Sequence, residues 1–162
     1  MEFTTREFKK DLTSNDLIKL WADADISEDD LSVELEWLDS QQENNKKYAI
    51  FDNSDNKYPM VYETTSVRGK YLKTLKVKHA PYMLDKFYES MNFNYLTELY
   101  KHLIQDIVGH SDKQGIKEFR IYIDNDNTIA VLAFQLFSQL LLPDNYESKF
   151  SSCKRWLFVN KK

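Results

Sequence analysis

At 162 residues the chain has the size of one compact domain, and a single unit over residues 1–162 is expected. With 22 basic residues against 26 acidic ones the net charge is -4, which excludes a generic binder of nucleic acid or of anionic membrane surfaces. Only 3 glycines occur, where average usage of about 7% gives roughly 11; glycine-rich phosphate loops are thereby disfavoured, and the 14% aromatic content argues for a packed core rather than disorder.

The opening Met1-Glu2-Phe3-Thr4 has neither the basic region nor the apolar run of a secretion signal, and the single Cys153 forms no intramolecular disulfide, so a cytoplasmic protein is expected. Phe3 to Lys10 reads as a short strand. Thr13 with Asp16 three residues later has capping-box spacing ahead of Leu17, Ile18 and Trp21, which predicts a first short helix. Ser27 and Asp30 repeat that signal before Leu31, Leu35 and Leu38, which share one face of a second helix. Lys47 to Phe51 and Met60 to Val67 flank the turn cluster Asp52-Asn53-Ser54-Asp55-Asn56 and predict a hairpin. After Arg68-Gly69-Lys70, a third antiparallel strand is expected with Tyr71, Leu75 and Val77 on one side and Thr74, Lys76 and Lys78 on the other.

Leu96, Leu99, Tyr100, Leu103, Ile104 and Ile107 have helical spacing between Tyr95 and Val108, with Gly109 as the natural stop. Phe119, Ile121 and Ile123 then alternate as a strand, so the helix is read as a crossover. Ile129 to Leu142 predicts a largely buried helix ended by Pro143; broken by Gln135, Ser138 and Gln139, it falls short of the about 20 apolar residues that cross a bilayer. The last strand, Cys153 to Val159, is apolar enough to lie inside the sheet.

This order, one strand, two helices, three antiparallel strands, helix, strand, helix, strand, resembles the GNAT superfamily of acetyl-CoA-dependent N-acetyltransferases over essentially the whole chain. The resemblance implies an α/β fold with a mixed, mostly antiparallel central sheet flanked by helices. It implies acetyl-CoA as cosubstrate, its pantetheine arm lying along a splayed central strand at Leu75 and Val77 and running to His79. The pyrophosphate is expected at the start of the next helix, around Asn92 and Asn94, and the segment Asn127 to Phe134 completes the site. Asn127-Thr128-Ile129-Ala130 looks like the family's Asn-x-x-Ala; the plainer alternative makes Asn127 a helix N-cap.

Two departures from the family pattern stand out. Tyr82 to Asn94 holds no glycine, so the usual phosphate signature is missing, although a helix N-terminus still presents N–H groups to an anion. Phe134 falls where the family often has a tyrosine acid and has no proton to give, which leaves Tyr122, Tyr146 or solvent for that role. Glu63 and His79 are the candidate bases for the attacking amine, against the alternatives of a solvent-facing strand Glu and a structural His.

Charge is segregated along the chain. Leu20 to Asn45 holds nine acidic residues and no Lys or Arg, whereas Thr64 to Leu84 holds Arg68, Lys70, Lys73, Lys76 and Lys78 and no acid. In the GNAT arrangement this suits a cationic amine acceptor and an anionic CoA donor, while solvated faces are the simpler account. Nucleic acid and membrane partners are not expected. No metal-ligand pattern is formed by the scattered His79, His102 and His110, and no metal is expected. The apolar tail strand offers a homodimer contact. The competing reading is a catalytically silent GNAT-shaped module for binding or subunit interaction.

Overall fold

The computed structural model of the chain describes residues 2–22, 26–40, 45–83, 92–123, 131, 134 and 142–162. Strand β1 (Phe3–Glu7) is followed by α1 (Ser14–Trp21), α2 (Glu28–Glu34) and a single 3-10 turn (Glu36–Leu38). Strands β2 (Asn45–Asp52), β3 (Lys57–Val67) and β4 (Tyr71–His79) follow, then α3 (Phe93–Lys113), β5 (Glu118–Tyr122), β6 (Tyr146–Phe150) and β7 (Trp156–Lys161). The seven strands form one sheet in the order β1-β2-β3-β4-β5-β7-β6. β4 and β5 run parallel, and every other pair is antiparallel.

Local chemistry explains the boundaries. Thr13 caps α1 as a true box: its hydroxyl takes the Asp16 N–H while the Asp16 carboxylate takes the Thr13 N–H. Ser27 caps α2 in the same way on the Asp30 N–H. The helix expected through Leu38 ends at Glu34 and tightens into the 3-10 turn, which still buries Leu35, Trp37 and Leu38. β1 stops at Glu7, short of Lys10, because Lys9 adopts φ 69 in a tight turn. Arg68 and Gly69, at φ 52 and 66, turn the chain within the three-residue connection between β3 and β4, which the Lys70 N–H closes on the Val67 carbonyl at 2.9 Å.

Three expectations are corrected. α3 runs past Gly109 to Lys113, because a lone glycine inside a helix costs only about 1 kcal/mol and flanking turns outweigh it. Tyr146–Phe150 is a strand that the sequence pattern did not reveal. β7 starts at Trp156 and has partners on both sides, β5 and β6, so its ladder is closed to a second chain and the open sheet edges are β1 and β6. The helix expected over 129–142 lies outside the described residues except at Val131, Phe134 and Leu142. Among the described residues no helix is long and apolar enough to cross a membrane.

Two layers cover the sheet. Trp21 of α1 donates its indole N–H to the Tyr58 carbonyl at 2.7 Å, which anchors α1 on the face that carries Tyr58, Val61 and Glu63. α3 covers the opposite face, where Tyr95 donates to Asp52 at 2.8 Å and Tyr62 to Asp106 at 3.1 Å. Burial of Leu96, Leu99, Leu103, Ile104 and Ile107 supplies the apolar contact beneath.

Candidate active site at the seam between β4 and β5

The two parallel strands pair at Leu72↔Phe119, Lys73↔Arg120 and Thr74↔Ile121. The ladder then ends. β4 continues to His79, still paired on its other side with β3 as far as Met60↔His79. The backbone groups of Leu75 to His79 that point toward β5 are therefore outside the β4–β5 ladder.

A bulge explains the parting. Glu63 opposes Leu75 and Val61 opposes Lys78, so β4 spends one residue more than β3 between those rungs. Lys76 takes up the excess at φ 53, and such bulges bend and over-twist a strand. The bulge also corrects the expected alternation. Val77 joins Leu72, Thr74 and His79 on the α3 face, whereas Lys78 moves to the face of Glu63 and Leu75. At the last closed rung, the Thr74 hydroxyl is fully buried and has no hydrogen-bond partner among the described residues.

On the α3 face, His79 Nε2 and the Tyr100 hydroxyl lie 2.9 Å apart. Burial lowers the His79 pKa to about 4, so the ring is neutral near pH 7, and burial likewise pushes the Tyr100 phenol well upward. The Phe134 ring packs edge-on against Tyr100 with centroids 5.2 Å apart. Phe134 thus brings no hydroxyl itself but abuts one. At the start of α3, Asn92 caps the helix by accepting the Tyr95 N–H through its side chain and the Leu96 N–H through its carbonyl. The Asn94 N–H then belongs to the first-turn donors that have no acceptor within a helix, and Asn94 is exposed.

On the opposite face, Glu63 is buried at 4% exposure and accepts the Asn45 amide at 2.9 Å. Its registered neighbour Lys47 is also buried and donates to the Trp37 and Ser40 carbonyls and, at 3.0 Å, to the Ser40 hydroxyl. Burial pulls the Lys47 pKa down while Glu63 pulls it back up. The Trp37 ring lies 5.6 Å from Lys47 Nζ and 5.2 Å from Lys76 Nζ, and its buried indole N–H has no acceptor among the described residues. Lys78 meets Glu34 at 3.7 Å, so part of the charge segregation in the sequence is an internal contact between α2 and β4.

The seam gathers Leu75, Val77 and His79 on one strand, with Glu63 one strand away on the far face from His79. The two candidate bases are therefore not neighbours. Tyr122 packs its ring against Trp156 at 5.1 Å on the Glu63 face. Tyr146 instead donates to Asp112 near the C-terminus of α3, away from the opening. Asn127 lies outside the described residues. Lys47, Trp37 and Tyr100 were not singled out by sequence reasoning. Lys47 was the first residue of an expected strand, and Tyr100 was one more position in an apolar helical stripe.

No family model matches the chain, and no curated protein matches it in sequence. Solved structures match its fold. A Campylobacter jejuni N-acetyltransferase, PseH, covers 99% of this chain and 97% of its own at 16% identity and TM-score 0.55. The same enzyme in complex with acetyl coenzyme A aligns at 13% identity and TM-score 0.56, over 99% of both chains. A GNAT-family acetyltransferase of Staphylococcus aureus aligns at 12% identity and TM-score 0.54, over 99% of this chain and 100% of that one. The chain has the GNAT fold, with its mixed, mostly antiparallel seven-stranded sheet.

Proposed function

We propose that this protein is an N-acetyltransferase that takes an acetyl group from acetyl-CoA and delivers it to an amine. The observation that carries the reading is the end of the β4–β5 ladder at Thr74↔Ile121, with β4 running on to His79. The likeness to solved acetyltransferases, one of them holding acetyl coenzyme A, supports it. The residues present suit such a ligand. Leu75 to Val77 offer backbone donors and acceptors to an amide-bearing arm, the orphaned Thr74 hydroxyl sits at its entrance, and the first turn of α3 at Asn92 and Asn94 offers N–H groups to a pyrophosphate. Asn127 and Phe134 are the remaining proposed contacts.

Acetyl-CoA supplies an activated thioester. The amine arrives from the Glu63 face, and Glu63 accepts its proton directly or through one water. A backbone N–H of β4 beside Leu75 stabilises the charge that develops on the carbonyl oxygen. Because His79 is held by Tyr100 on the other face, we assign it to orienting Tyr100 rather than to deprotonating the amine. Tyr100, abutting Phe134 on the α3 face, is assigned as proton donor to the departing thiolate in place of Tyr122, which lies on the Glu63 face. The lack of a hydroxyl at Phe134 favours the silent binding module as the second reading.

Thermal melting with acetyl-CoA tests the cosubstrate. Saturation to about 100 times Kd stabilises the folded state by roughly 2.7 kcal/mol and raises Tm by several degrees. A flat melting curve at millimolar acetyl-CoA overturns the proposal. A shift without any thiol release in the presence of an amine library favours the silent module.

A further inference from the structure

Tyr71 and Lys73 of β4, Arg120 of β5, and Trp156 and Phe158 of β7 line a cavity of about 240 Å3. Strand register explains why they meet. Lys73 opposes Arg120, Arg120 opposes Phe158, and Tyr71 lies two residues from Lys73, so all project from one face of the sheet. That face also holds Glu63, which opposes Leu75, the first β4 residue beyond the closed seam. Lys73 therefore lies one same-face step, about 7 Å of strand, from the opening.

The charges in this cleft are unequal in kind. The Arg120 guanidinium is 3.8 Å from the Tyr71 centroid and 5.0 Å from that of Phe158, and its Nε donates to Glu118 at 2.6 Å. Arg120 is thus neutralised and held as a flat wall. Lys73 Nζ lies 5.9 Å from the Tyr71 ring and 5.8 Å from the Trp156 ring, with no carboxylate in ion-pair contact among the described residues. An uncompensated ammonium between aromatic faces leaves an apolar slot with one positive anchor. A cationic acceptor would meet Lys73 and Lys76 with like charge on this face, at a cost in binding.

We infer that the cleft of Tyr71, Lys73, Arg120, Trp156 and Phe158 selects the acceptor, and that this acceptor is an amine carrying both a planar ring and a carboxylate. The ring lies among Tyr71, Trp156 and Phe158, the carboxylate pairs with Lys73, and the amine faces Glu63. This assignment of substrate class builds on the transferase reading, and it replaces the cationic amine that sequence charge favoured.

Calorimetric titration of the full chain with L-tryptophan, tryptamine and L-alanine tests it, because these probes carry ring and acid, ring alone, and acid alone. L-tryptophan is expected to bind at least about tenfold tighter than either of the others. Lys73→Gln, a change at a partly exposed side chain, should abolish the preference over tryptamine by weakening L-tryptophan, while cationic tryptamine, relieved of a like charge, binds as tightly or more tightly. Trp156→Leu should weaken both ring-bearing probes. Equal binding of tryptamine and L-tryptophan, an undetectable L-tryptophan interaction, or an unaltered preference in Lys73→Gln overturns the inference. The acetyl-CoA melting shift, measured in the same proteins, separates the two claims. A retained shift with no acid preference removes the cleft alone, and an absent shift with the acid preference intact removes the transferase and leaves the cleft as a binding site.

Discussion

The two halves of β4 share a strand and differ in almost everything else. Its first half, Tyr71 to Thr74, is paired with β3 on one side and β5 on the other, and it buries Leu72 and Thr74 against the α3 face. Its second half, Leu75 to His79, keeps only β3 among the described residues, contains the bulge at Lys76, and places lysines at 76 and 78. The first half holds the sheet together. The second leaves peptide groups outside the seam, which is what a peptide-like ligand arm needs. One residue of excess length, at Lys76, separates the two roles.

Substitutions can break this division. Leu72→Ala, at 1% exposure in the closed half, should cost about 2–5 kcal/mol in urea unfolding. Leu75→Ala in the open half should cost clearly less and weaken the acetyl-CoA melting shift. Comparable losses of stability in both would show that the halves are not distinct.

The open half also has a buried proton site. With its pKa near 4 in the folded chain against about 6.5 unfolded, His79 stays neutral where the unfolded chain takes up a proton. Its contribution is complete above pH 6.5 and is lost as pH falls toward 4, up to about 3 kcal/mol. His79→Gln should flatten that part of the stability profile between about pH 7.5 and about pH 4.5, measured by urea midpoints. An identical slope in both proteins would assign the pH dependence to other groups, among them His110, which burial also shifts downward.

Glu63→Gln keeps an acceptor for the Asn45 amide and removes the base. Acetyl transfer should fall at least about 100-fold, roughly 2.7 kcal/mol, with the acetyl-CoA melting shift retained. An unchanged rate would take the proton-accepting role away from Glu63. The smallest effect is expected at the bulge. Lys76→Gly relieves a left-handed residue and should stabilise by up to about 1 kcal/mol, less the entropy of the added glycine. Strong destabilisation would mean that the cation over Trp37 matters more than the backbone geometry.

Much of the fold was legible because its signals are local. The Thr13 and Ser27 caps, the 52–56 turn and the α3 stripe each depend on residues within a few positions of one another. β6 was hidden because Tyr146-Glu147-Ser148-Lys149-Phe150 is an edge strand with one partner and a half-polar pattern. Leu75 and Val77 lie in the half of β4 beyond the last β5 rung and Glu63 lies on β3 opposite Leu75, positions that only register between strands defines. The side of Val77 was not legible, since a bulge inverts alternation without leaving a mark in composition.

Sequence by itself settled the caps of α1 and α2, the apolar stripe of α3 and the strands other than β6, because hydrogen bonds and side-chain spacing within a segment are enough to decide them. Only the tertiary structure decided that β4 parts from β5 after Thr74, that Glu63 and His79 face opposite sides, and that Lys73 reaches a cleft with Arg120 and Trp156. Those relations depend on strand order and register between segments distant in the chain, as with β4 and β7, which reach one cleft from either side of β5. No local pattern encodes which edge of a strand is left without a partner.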